Sequence, residues 1–98
     1  MAGQIRITPQ ELRDGATYLA QRKEECMESL SNMKSKVDEV TGNWEGAAQN
    51  SFVQTFEELY KQISEALPQT VEGIESMLNG AAQAMEEADD SIAQSFNG

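Results

Sequence analysis

Apolar side chains recur along the first half of the chain in alternating steps of four and three: Leu12, Ala16, Leu19, Lys23, Cys26, Leu30, Met33, Val37, Val40. That rhythm is an α-helix with a heptad seam. Leu12, Leu19, Cys26, Met33 and Val40 share one position of the repeat. Ala16, Lys23, Leu30 and Val37 share the other, with Lys23 its only polar member, and Ile5 extends the first line backwards. The start is marked by Thr8-Pro9-Gln10-Glu11, a capping box with proline at the first helical position, where its missing donor costs nothing. The helix is predicted to end near Thr41, with Gly42 closing it in a left-handed conformation and Asn43 opening the next segment. At ~1.5 Å per residue it would be ~50 Å long.

A second periodic stretch follows Gly46: Phe52, Phe56, Leu59, Ile63, Leu67, Val71, Ile74, Leu78, Ala81, Met85, Ala88, Ile92. Three consecutive steps of four, Leu59 to Val71, span Pro68. An interior proline removes the hydrogen bond to the residue-64 carbonyl and clashes with it, which predicts a kink there. Gly73 and Asn79-Gly80 are further weak points, each glycine costing about 1 kcal/mol relative to alanine. The pattern predicts helix one over about 8–41, a turn over 42–46, helix two over about 47–80 and a C-terminal segment over 81–98, still helical in pattern.

Two long helices and a short turn make an all-α helical hairpin, and such a hairpin cannot close a core alone. Two stripes facing each other leave their flanks, among them Tyr18, Met27, Tyr60 and Met77, in water. Two hairpins are therefore expected to pack as an antiparallel four-helix bundle, with Leu12, Leu19, Cys26, Leu30, Met33, Val37, Phe52, Phe56, Leu59 and Ile63 as the core and dimer seam.

Composition narrows the chemistry. The 98 residues hold 7 Lys+Arg against 17 Asp+Glu, a formal charge of −10. The charge is lopsided: residues 1–43 hold six basic and seven acidic side chains, residues 44–98 one and ten. Such a chain is repelled by phosphate backbones and anionic lipid, which argues against nucleic-acid binding and electrostatic membrane docking. There is no histidine, and Cys26 is the single cysteine. The commonest general base, the commonest metal ligand and an intrachain disulfide are all missing. The longest apolar run, Tyr18-Leu19-Ala20, is far short of the ~20 residues that span a bilayer, so no stable membrane insertion is expected. Adjacent acid pairs diverge around a helix and have no EF-hand spacing. They read as solvated faces, so neither a metal, a cofactor nor an enzyme is expected. The N-terminal residues offer no apolar leader core, which predicts the absence of a cleavable signal peptide.

The connection reads Thr41-Gly42-Asn43-Trp44-Glu45-Gly46-Ala47-Ala48, with Phe52 one turn further on. A Trp-x-Gly tripeptide at the tip of an acidic helical hairpin of this length resembles the WXG100 family, the early-secreted-antigen-like substrates of type VII secretion systems. Trp44 and Gly46 match its turn motif. The family's tail carries Tyr-x-x-x-Asp/Glu within a wider pattern of hydrophobic, acidic and two further hydrophobic positions. Met85, Asp89, Ile92 and Phe96 fill the wider pattern here, Met85 standing where the tyrosine is usual.

The resemblance implies a protein that folds in the cytoplasm, pairs head to tail and is secreted without a cleavable leader. Trp44 and Gly46 of one subunit and the tail of the other would then form one export signal, read by an FtsK/SpoIIIE-like ATPase. A homodimer is the expected form and a heterodimer with a paralogue the alternative. Two other functions fit the residues: a chaperone or adaptor for a larger type VII toxin, and a membrane-active effector whose helices open at low pH. Beside these, Trp44 reads equally as a packing anchor and Cys26 as a small apolar seam residue or an interchain disulfide partner.

Overall fold

The structure, a computed structural model, describes residues 7–97, with side chains described through residue 90. Two α-helices fill nearly all of it: α1, Pro9–Gly42, and α2, Ala47–Asn97, antiparallel neighbours in a hairpin 77 Å long. The predicted capping box starts α1. The Glu11 N–H donates to Thr8 Oγ1 at 3.1 Å, and the Thr8 N–H donates to Glu11 Oε2 at 3.2 Å. Two donors at the helix end are thereby satisfied reciprocally.

The end of α1 differs from expectation. Gly42 stays helical, and Asn43 follows with an ordinary right-handed φ of −94°. The Asn43 and Trp44 N–H groups reach back to the Val40 and Thr41 carbonyls at 3.4 and 3.1 Å, closing the helix without a left-handed residue. The positive φ falls at Gly46 instead, at 119°. There the chain reverses into α2, and an L side chain would be strained.

The weak points expected at Gly73 and Asn79-Gly80 do not interrupt the second helix. Helix α2 runs unbroken through Pro68, Asn79 and Gly80 to Asn97, so the stretch beyond residue 80 is helical, as its pattern suggests. Beyond Gly80 the helix stays against α1: Ala82 is wholly buried, Met85 is half-buried, and Glu86 pairs with Arg13.

The seam is thin. Among the described residues only Ala16, Thr41 and Ala82 are fully buried. Between the helices lie Ala16, Lys23, Met27, Leu30, Lys34, Val37 and Thr41 of α1. Opposite them stand Val53, Phe56, Tyr60, Ser64, Leu67, Val71, Glu75, Leu78, Ala82 and Met85 of α2. Both sets step by four and three, so each helix keeps one face toward the other along the shared length. Met27 and Tyr60, expected to stay wet, are partly covered, whereas Tyr18 and Met77 remain exposed as expected.

Candidate functional site

The apolar arc of each helix is wider than the seam. On α1, Cys26, Met33 and Val40 stand one heptad apart and are all exposed. On α2, Phe52, Leu59, Ile63, Ile74 and Met77 form a second stripe beside the seam, also exposed. Met33 keeps 61% of its surface in water, Leu59 57% and Met77 73%. Nearer the turn than the far end the two stripes meet in a groove of about 540 Å³, lined by Leu30, Met33, Phe56, Leu59, Tyr60, Ile63 and Ala66. A second hollow of about 420 Å³ continues it past Cys26, Leu67 and the Arg22–Glu25 pair. The predicted seam residues thus divide. Leu30, Val37 and Phe56 pack within the chain, Leu12 and Leu19 are partly covered, and Cys26, Met33, Phe52, Leu59 and Ile63 line the open face.

The tip is built by polar groups as well as by glycine. Thr41, buried, donates its hydroxyl to the Val37 carbonyl at 2.8 Å, and Gln49 Nε2 donates to the Thr41 carbonyl at 3.2 Å. These bonds tie the last turn of α1 to the first turn of α2. With the backbone held there, Trp44 leans on Phe52, ring centroids 5.7 Å apart and planes tilted by 51°. The indole still exposes 42% of its surface, so it is an anchored but accessible aromatic at the hairpin's end.

The tail pattern lies toward the other end. Met85 is half-buried near the start of α1 and Asp89 is exposed; the side chains of Ile92 and Phe96 lie outside the described residues.

Lys23 is the polar member of the covered line and is only 15% exposed. Its ammonium donates to Glu72 Oε2 at 3.2 Å and lies 3.6 Å from Glu75 Oε2. The hydrogen bond to Glu72 raises the Lys23 pKa above its ordinary 10.5, against the opposing effect of burial. Periodicity alone missed Glu75, Tyr60 and Ser64 as seam residues. The signal was present in Lys23 itself, which needs an acid opposite, and Glu72 and Glu75, spaced by three, present two from one helix face. The other basic side chains of α1 are paired too, Arg13 with Glu86, Arg22 with Glu25, Lys34 with Asp38 and Lys36 with Glu39. Exposed pairs of that kind contribute little stability.

Among the described residues no three His, Cys, Asp or Glu side chains gather as a metal site, and no helix is long and apolar enough to cross a membrane. What the arrangement offers is a surface: an apolar face along the rod, an aromatic tip and an acidic far end.

A two-helix rod with a Trp-x-Gly tip and an uncovered apolar face defines a class of small helical hairpin proteins. The chain belongs to the WXG100 family, proteins of 100 residues with WXG, whose model matches residues 4–90. It is 29% identical over 92 residues to the type VII secretion system extracellular protein A of Staphylococcus aureus strain USA300, covering 94% of each chain. The protein of the same name from strain N315 matches to the same extent. Among solved structures it is similar to Geobacillus thermodenitrificans EsxA, crystal form I, with a TM-score of 0.69 and 27% identity, covering 92% of this chain and 97% of that one.

Proposed function

We propose that this chain is a small secreted substrate of a type VII secretion system, exported as a folded head-to-tail homodimer. The names of its relatives support the secretion route. The observation that carries the dimer is the open apolar face. Phe52, Leu59, Ile63, Ile74 and Met77 of α2 and Met33 and Val40 of α1 are exposed along one side of the rod, where a monomer would keep a large apolar patch in water. A second hairpin laid on that face completes a four-helix bundle.

The positions of the two motifs support head-to-tail pairing. Trp44 and Gly46 are at the turn, while Met85 and Asp89 lie toward the opposite end of a 77 Å rod, too far apart for one receptor surface on one chain. An antiparallel partner brings its own tail beside this chain's tip. The composite surface is then apolar and aromatic with acidic edges, suited to a groove with a basic rim on a membrane ATPase of the FtsK/SpoIIIE kind. Tip residues Trp44 and Gly46 and tail residues Met85, Asp89, Ile92 and Phe96 are assigned to that contact.

The test pairs mass in solution with export. The protein should run as a dimer and accumulate in culture supernatant only when the membrane ATPase is present. Trp44→Ala should leave the dimer intact and abolish accumulation. A monomer, or a protein stable only beside a larger helical partner, would overturn the homodimer; export independent of the ATPase would overturn the route.

A further inference from the structure

Helix α1 carries two heptad lines, and only one faces α2 along its whole length. Ala16, Lys23, Leu30 and Val37 form the covered line, while Cys26, Met33 and Val40 of the other stay exposed. By apolar character alone the choice runs the wrong way, because the line with no charge is the better seam. Rotating α1 about its axis by about 60°, three residues at 3.6 per turn, exchanges the two.

The side chain that distinguishes the lines is Lys23. A lysine packed between helices is costly unless carboxylates meet it. Helix α2 supplies Glu72 and Glu75, the latter with Oε2 shielded from water and without any hydrogen bond, its nearest cation being Lys23 at 3.6 Å. Rotation to the alternative seam would strand that carboxylate oxygen and withdraw the ammonium from both acids.

We propose that Lys23, through Glu72 and Glu75, is the specificity-determining residue that selects which line of α1 packs within the chain and thereby reserves the Cys26–Met33–Val40 line for a partner. The assignment within the chain stands on the ion-pair geometry; only the reservation for a partner rests on the dimer reading. A single polar residue at a seam position serves helical assemblies in this way, setting geometry at some cost in stability.

The test measures the in-chain distance between spin labels on cysteines introduced by Ser31→Cys and Glu65→Cys, both exposed positions, in a Cys26→Ala background diluted with unlabelled protein. The otherwise unchanged chain should give one narrow distance. Lys23→Met, which keeps the length and removes the charge, should give a second, shifted population. Lys23→Glu combined with Glu72→Lys and Glu75→Lys should restore the single distance. A Lys23→Met chain with an unchanged single distance overturns the proposal, as does a charge-swapped chain that stays heterogeneous. Light scattering on the same samples reads the dimer separately: a monomeric parent chain defeats the dimer reading while the label distances still decide the seam.

Discussion

Leu59→Ala separates a face that holds a second copy from one that is merely wet. In the single chain Leu59 exposes 57% of its surface beside the groove, so that share is what association can cover. Leucine to alanine removes three carbon groups worth about 0.8 kcal/mol each on full burial, or about 2.4 kcal/mol. Scaled to the uncovered share, the loss is about 1.4 kcal/mol per site, and about 2.7 kcal/mol for the two sites of a symmetric dimer. The dimer Kd should then rise about 100-fold. Sedimentation equilibrium across a dilution series reads that change. Glu65→Ala, an exposed position away from the groove, is the control and should move Kd by less than about threefold. An unchanged Kd for Leu59→Ala, or an equal effect from the control, would refute the assignment of this face.

Gly46→Ala meets no neighbour within 4 Å but must adopt a φ near 119°, so it should cost about 1–2 kcal/mol in denaturant unfolding and lower export with it. Thr8→Ala removes the side-chain half of the capping box and should cost about 1 kcal/mol, read as a lower Tm. Ser64→Ala should be neutral or stabilising by about 0.5–1 kcal/mol, because the Ser64 hydroxyl is shielded from water with no partner; a clear drop in Tm would show a bond that the geometry lacks. The folded-state pKa of Lys23 is raised above its ordinary 10.5, mainly by the hydrogen bond to Glu72, so its contribution is whole below the ordinary value and is lost as pH rises through the folded one. Stability should therefore decline above that pH, and Glu72→Gln should flatten the decline in denaturation midpoints.

The heptad rhythm revealed the hairpin, its turn and the capping box because those rest on local spacing and local hydrogen bonds. It could not say which of two neighbouring apolar lines faces inward. Both lines read as one heptad seam, yet Cys26, Met33 and Val40 of the first line face water in the chain, and the inward line is the one containing a lysine. Periodicity weights apolar character, whereas the packing here is settled by a pairwise match between Lys23 and two acids 49 and 52 positions away. The same limit applies on α2: Ser64 and Glu75 lie on the inner face while Leu59 and Ile63 lie beyond it. Helix α2 continues through Gly80, whose local penalty is only about 1 kcal/mol, and the turns beyond it bury Ala82 against α1.

That continuity decides where the proposed export tail can be cut. Removing everything after Gly80 would take away Ala82, Met85 and the acid that holds Arg13, so the start of α1 would lose its cover and the truncated chain would fail for reasons unrelated to recognition. Ending the chain after Asp90 keeps all of those contacts and deletes Ile92 and Phe96, two of the four residues assigned to the tail signal. The shorter cut should leave the dimer mass and Tm within the scatter of the full chain while the supernatant loses the protein. The longer cut should lower Tm and dissociate the dimer as well, since about 1–2 kcal/mol accompanies the exposure of even a few part-buried apolar groups. Normal export of the chain ending at Asp90 would remove Ile92 and Phe96 from the signal. Unfolding of that chain would mean that the final turns of α2 stabilise the hairpin itself, and the tip would then have to carry recognition without them.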